Sequence, residues 1–177
     1  MAKPPTTIDE LLQGWDRRAL KAVDAHYESG RRFAHRNAQL GIPSIVLAAV
    51  IATLAFATVG RSVPIWIQIT IGLLASIQFV VSSLHTWLRH SELAEKHRQA
   101  GARYAAIRRH IEEVRILGAA DSATQAAAIA EIRAGLDALG REAPRIPADI
   151  WRCTQQAYKG HGTAGGKILS PETQPSV

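Results

Sequence analysis

At 177 residues the chain has room for one domain with a sizeable core and not for two independent ones. Its single cysteine excludes a disulfide framework, and its formal charge of +6 is concentrated around two apolar blocks, Leu40 to Gly60 and Val63 to Leu88, that contain no Asp, Glu, Lys or Arg. Basic flanks of that kind are accounted for by an anionic lipid surface, so no nucleic-acid binding is expected.

Residues 1–7 read as a tail. Thr7-Ile8-Asp9-Glu10 has the form of a capping box, a hydroxyl and a carboxylate three positions apart that satisfy free amides at a helix start. A charged helix is predicted over 8–39. Along it Leu12, Trp15, Ala19, Val23, His26, Gly30 and Phe33 recur at steps of three and four, the spacing of a seam against a partner helix. Gly41-Ile42-Pro43 then predicts a bend or a restart, because an internal proline removes one backbone bond and crowds the preceding turn.

Residues 40–60 form the first predicted membrane span, with a helical rise of about 30 Å, the thickness of a bilayer's hydrocarbon layer. Residues 63–88 form the second, bracketed by Trp66 and Trp87 as interfacial aromatic anchors. A soluble core of two such helices would need cover from residues that are themselves amphipathic. A cleaved signal peptide, suggested by Ala55-Phe56-Ala57, is opposed by the long charged lead before it. Basic residues crowd the outer flanks of the pair while the intervening turn holds only Arg61, so both termini are expected in the cytoplasm of a multi-pass inner-membrane protein.

Gly60-Arg61-Ser62-Val63-Pro64 predicts a tight hairpin, glycine ending one helix, serine capping the next and proline in its first turn. Nothing comparable interrupts the chain as far as Leu117, so the second span is expected to continue unbroken through 89–117 with the seam Leu93, His97, Ala100, Tyr104, Ile107, Ile111 and Val114. Pairing the two seams about the hairpin places His26 opposite His97. It also sets Arg32 against Glu92, Glu28 against Lys96 and Asp24 against Arg98. After a turn at Gly118, a helix is predicted over 122–140 with Ile129, Ile132, Leu136 and Leu139 on its apolar face. Ala143-Pro144-Arg145-Ile146-Pro147 is extended, a short helix over 148–158 is anchored by Trp151, and 159–177 is expected to be disordered. The expected fold is an all-α membrane protein, a two-span hairpin continuing into a cytoplasmic antiparallel helical bundle.

No Gly-rich phosphate loop, Ser-His-Asp set or carboxylate pair in an apolar setting occurs, and enzyme activity is not expected. The histidines at 85, 90, 97 and 110 lack the three- or four-residue spacing of helical metal ligands. No catalytic, cofactor or metal site is assigned, and Cys153 reads as a small packed residue. His26 and His97 are assigned to a contact between helices. Gln68, Gly72, Gln78, Ser82 and His85 form a small and polar stripe on the second span, with Ala75 and Arg89 on the same line. Such a stripe lines a water-filled path or packs against another helix, and both readings stand. Ser44, Ala48, Ala52 and Ala55 offer a small-residue face on the first span.

Gly41-Ile42-Pro43, the Arg61 hairpin, Ser91-Glu92-Leu93-Ala94-Glu95-Lys96-His97-Arg98, Tyr104, Ile107-Arg108-Arg109 and Ala143-Pro144-Arg145-Ile146-Pro147 with Trp151 resemble the SLATT domain. The likeness runs from roughly residue 10 to 158, and 8–158 is taken as the SLATT-like domain. It implies a homo-oligomeric membrane effector of a bacterial anti-phage or conflict system, permeabilising the membrane on a signal from a nucleotide second messenger or a nucleotide-signalling protein. A membrane-anchored scaffold that recruits a cytoplasmic partner is the alternative.

Overall fold

The computed structural model describes residues 5–117 and 122–160, in five helices: α1 (Ile8–Ala57), α2 (Ile65–Leu88), α3 (His90–Leu117), α4 (Ser122–Glu142) and α5 (Ala148–Gly160). No strand occurs among the described residues. The first four residues, the turn expected at Gly118 and residues 161–177 of the expected tail lie outside them, while Lys159 and Gly160, expected to be disordered with that tail, continue α5 by two residues.

α1 begins on the capping signal. Thr7 Oγ1 accepts from the Glu10 amide at 3.2 Å, while the Glu10 carboxylate reaches back to the Thr6 amide at 2.7 Å and its hydroxyl at 2.9 Å. The helix then runs 50 residues with Pro43 inside it, about 75 Å of rise. The helix therefore does not restart at Gly41-Ile42-Pro43. The carbonyl that loses its bond to Pro43 belongs to Gln39, an exposed residue, so no polar group is trapped by the loss. α1 contacts α2 on either side of Pro43, through Asn37 to His85 and Ser44 to Gln78.

The hairpin turns at Gly60, whose φ of 73° lies in the left-handed region that glycine adopts without strain. Pro64, rather than Ser62, stands at the N-cap of α2, and no side chain caps that helix. The expected unbroken rod is also corrected. Arg89, with φ 48° and ψ 37°, separates α2 from α3. A left-handed residue other than glycine costs about 1–2 kcal/mol. The break is local. Leu93 N–H donates to Arg89 O at 3.0 Å, and the Arg89 guanidinium pairs with Glu92 at 3.3 Å.

α2 and α3 return along α1. Ser44 meets Gln78, Asn37 meets His85, His26 meets His97, Asp16 pairs with Arg108 at 2.7 Å and Asp9 with Arg115 at 2.9 Å. All seam positions read from the spacing, from Leu12 to Phe33 and from Leu93 to Val114, are buried or half-buried. A core forms where α1, α3 and α4 converge: Leu12, Ile111 and Ile132 are 0–2 % exposed, with Trp15, Ile107, Val114, Ile129 and Leu136 packed around them. Each fully buried aliphatic side chain of that set contributes about 1.5–3 kcal/mol. α5 lies on α1 through ion pairing of Arg32 with Asp149 and a hydrogen bond from the Tyr158 hydroxyl to Asp24. Ile150 is its buried residue, Trp151 is half-buried, and Cys153 lies on its outer face, exposed rather than packed.

The three ion pairs expected across the hairpin do not form. Glu28 pairs with Arg31, Glu92 with Lys96 and Arg89, and Arg98 with Glu95, each within its own helix or at its start. Neighbours three or four positions apart on an exposed helix face meet without ordering a second helix's side chains, so the local partner wins. Arg32 and Asp24 are taken by α5.

The remaining half of α1 and all of α2 are different in kind. Ser44 and Ile51 are the buried residues of α1 beyond Gly30, and α2 has none. Phe56, Phe79, Trp66 and Trp87 are 80 %, 73 %, 64 % and 77 % exposed. Both helices carry stretches long and apolar enough to cross a membrane, almost bare of protein cover. Monomeric soluble proteins rarely expose contiguous apolar patches beyond a few hundred Å².

Candidate functional site

A line of polar and aromatic groups follows the contact of α1 with α2 and α3 from the apolar half into the charged half. Gln78 Nε2 donates to Ser44 Oγ at 2.6 Å and to the Ser44 carbonyl at 2.8 Å. Its other side-chain atom, Oε1, is buried without a hydrogen-bond partner. Seven positions on, His85 Nε2 lies 3.1 Å from Asn37 Oδ1. The imidazole fits because Gly41 has no side chain: a Cβ there would meet His85 Cε1 at 3.3 Å. Glycine in this motif makes room for a ring, and proline beside it does not end the helix.

Past the Arg89 break the line becomes a stack of rings. Phe33 lies over His97 (centroids 5.5 Å apart, planes at 16°), and Tyr104 over His26 (5.6 Å, 19°). The two imidazoles join these halves, Nδ1 to Nδ1 at 3.0 Å. His90 closes the end, edge-on to Phe33. One Nδ1 must carry the proton and the other accept it, so the accepting ring is neutral; the donating ring meets the geometry neutral or protonated, and an apolar setting favours the neutral form. Burial agrees with this: His26 is 2 % and His97 1 % exposed. Burial, reinforced by the neighbouring His97, pushes the His26 pKa down to about 4, and burial lowers that of His97 as well. The Tyr104 hydroxyl is held protonated more firmly than usual by the same desolvation.

Small residues allow the close approach. Gly30 faces the α3 backbone, where an added Cβ would lie 3.2 Å from the Ala94 carbonyl oxygen, and Gly101 receives the face of the Tyr27 ring. Ser29, fully buried, returns its hydroxyl to the Ala25 carbonyl at 2.7 Å.

The stripe read on α2 divides. Gln78 and His85 are half-buried and engaged with α1; Gln68, Gly72 and Ser82 are exposed. At about 100° per residue those three, with Ala75, occupy an arc of roughly 80° beside the α1 contact. Gln68 reaches only the Val63 carbonyl of its own helix start, at 3.5 Å, and the position of a Gly72 Cβ has nothing within 4 Å. On α1 the small-residue face is likewise used once: Ser44 meets α2, whereas Ala48, Ala52 and Ala55 are exposed. The partners of Gln78 and His85 were within reach of sequence reasoning, since the register that pairs His26 with His97, continued toward the hairpin, ends on Ser44 and Asn37.

Comparison with protein-family models, with curated proteins and with solved structures gives no match to this chain.

Proposed function

We propose that the chain is a two-span membrane effector whose copies assemble through the outer polar face of α2 and permeabilise the membrane when a signal reaches the charged helices. The observation that carries this reading is the divided stripe. Within one hairpin Gln78, through its amide nitrogen, and His85 are engaged by α1, while Gln68, Gly72 and Ser82 stay on the exposed surface of an apolar helix. Polar groups facing hydrocarbon are costly and are relieved by a second helix or by water in a path between helices. The excess of Lys and Arg on the flanks beyond the hairpin supports two cytoplasmic termini, with α3, α4, α5 and the first half of α1 as a cytoplasmic bundle. The resemblance to the SLATT domain supports a role in a bacterial anti-phage or conflict system, and a nucleotide signal or a nucleotide-signalling protein as its trigger.

The polar seam supplies a route between the two regions. α1 is one helix from the bundle to the hairpin, and its hydrogen bonds to α2 sit immediately beyond the Arg89 break. A shift of α3 on α1 is thereby applied at the mouth of the spans. A membrane-potential dye in cells induced to express the chain, during phage infection, tests the reading. Depolarisation is expected for the wild type and for Gln78→Leu, and its loss for Gln68→Leu combined with Ser82→Leu. A potential that never changes sinks the effector reading.

A second reading, a membrane-anchored scaffold that recruits a cytoplasmic partner, is favoured by the engagement of Gln78 and His85 inside the hairpin, where they fix register and line no path. Unchanged biological function in the Gln68→Leu, Ser82→Leu protein selects the scaffold.

A further inference from the structure

The seam that α3 turns toward α1 does not continue into α2. Along α3 the positions against α1 are His90, Leu93, His97, Ala100 and Tyr104, at steps of three and four. Along α2 they are its half-buried residues, Ile67, Ile71, Leu74, Gln78, His85 and Leu88, at steps of three, four and seven. Carried back through an unbroken helix, the α3 seam would fall instead on Thr86, Ser83, Phe79, Ser76 and Gly72, one or two positions out of step and about 150° round the helix. All five are exposed. The left-handed Arg89 takes up that difference.

The unused face fits α1 by size. In the register that joins His26 to His97, Leu40 falls opposite Ser83, Ser44 opposite Phe79, Leu47 opposite Ser76 and Ile51 opposite Gly72, so that a large side chain meets a small one at each step. Ser76 and Thr86 already return their hydroxyls to the carbonyls of Gly72 and Ser82, at 2.9 and 3.0 Å, so packing them against a helix strands no donor. The seat now occupied carries two defects. A residue other than glycine is held in left-handed backbone, and the buried Gln78 Oε1 has no partner.

We infer that α2 has two seats on α1 and exchanges them by turning about its own axis as Arg89 passes between left-handed and right-handed helical backbone. In the observed seat the hydrogen bonds of Gln78 to Ser44 and of His85 to Asn37 hold α2. In the second, α2 and α3 form one rod, Gly72 packs on Ile51, and Gln78 and His85 turn outward. α1 and α3 stay together through the exchange, because the core around Leu12 and Ile111 and the contact of His26 with His97 lie on the far side of Arg89 from α2. The rotation changes which polar groups α2 offers to another copy. That consequence rests on the proposed assembly through α2; the rotation itself does not.

Cysteine pairs in a Cys153→Ser background, oxidised in native membranes, read the two seats within one chain, with the linked peptides identified by mass from the monomer band. The register of Ser44 with Gln78, carried one heptad further, sets Ile51→Cys with Ile71→Cys for the observed seat. That of His26 with His97, carried three heptads, sets Leu47→Cys with Ser76→Cys for the second. Both pairs are expected to link, the first in excess. Arg89→Val, which opposes left-handed backbone, should raise the second link relative to the first by about tenfold, and Arg89→Gly, which accepts it, should lower that ratio. Ser83→Phe, at a position exposed in the observed seat, should abolish the second link and leave the first. The inference is overturned if the second pair fails to link even with Arg89→Val, if Arg89→Gly and Arg89→Val give the same ratio, or if Ser83→Phe leaves the second link unchanged. Rotation without linking between copies through α2 leaves the two seats standing and removes only the assembly.

Discussion

Acidification from pH 8 to pH 5 should loosen the contact of α1 with α3 by about 2 kcal/mol through His26 alone. In the folded protein that imidazole is neutral, buried and bonded to His97, and its pKa is pushed down from an ordinary 6.5 to about 4. In the opened state it titrates at the ordinary value. Between those two values the open form binds a proton that the closed form refuses. Stability is therefore full above about pH 6.5 and falls as pH drops toward 4. With RT of about 0.59 kcal/mol, the ratio of the two binding polynomials at pH 5 gives about 2 kcal/mol, and the lowered pKa of His97 acts in the same direction. Amide hydrogen exchange followed by mass spectrometry reads this directly, as protection factors for the stretches around His26 and His97 corrected for the intrinsic pH dependence of exchange. A loss of roughly thirtyfold in protection is expected. The lowered carboxylate pKa values of Glu10, Glu92, Glu95 and Asp149 give changes of the same sign, but at lower pH. A protein with His26→Leu and His97→Leu should consequently show little change over this range. Protection that changes by less than about threefold in the wild type, or equally in the double variant, refutes the buried neutral pair.

Packing at other points gives further expectations. Ile111→Ala, at a residue with no exposure, should cost about 2–5 kcal/mol in thermal or chemical denaturation of the detergent-solubilised chain. Gly30→Leu drives a branched side chain against the α3 backbone and should cost about 1–3 kcal/mol, whereas Gly30→Ala, whose Cβ asks only a few tenths of an ångström from Ala94, should be close to neutral because alanine favours the helix. Arg89→Gly should be tolerated within about 1 kcal/mol and Arg89→Val should lose about 1–2 kcal/mol, because the left-handed backbone there suits glycine and opposes a β-branched residue. Gln78→Leu should leave the hairpin stable within about 1 kcal/mol in the same denaturation. It removes the unpartnered Oε1 along with the bonds to Ser44, whose hydroxyl can turn to its own helix backbone.

Much of the helical arrangement was legible because its signals are local or periodic. The capping box at Thr7, the seams on both sides of the hairpin and the apolar face of α4 each follow from short-range spacing, and the seam positions are the buried ones. What escaped was decided by competition between partners. Glu92 had Lys96 and Arg89 on its own side of the chain, and Asp24 and Arg32 had α5, an element with no sequence signal of where it docks. Gly41-Ile42-Pro43 predicts a bend or a restart because proline opposes helices, yet the helix does not restart there, and the orphaned Gln39 carbonyl belongs to an exposed residue. Arg89 was invisible for the opposite reason: nothing in an arginine between leucine and histidine announces a left-handed backbone. The α2 stripe was found as a spacing, but a spacing does not tell which of its members the first span takes. Gln78 and His85 were taken, and the remaining three define the face on which the functional reading rests.

Disulfide cross-linking in native membranes addresses that face directly. In a Cys153→Ser background, cysteine is placed singly at Gly72, at Ser82 and, as a lipid-facing comparison, at Val80, which is exposed in the hairpin. If copies meet through the polar face of α2, mild oxidation links the Gly72→Cys and Ser82→Cys proteins into dimers while the Val80→Cys protein stays monomeric. Monomers at all three positions, or equal linking at Val80, would contradict assembly through that face.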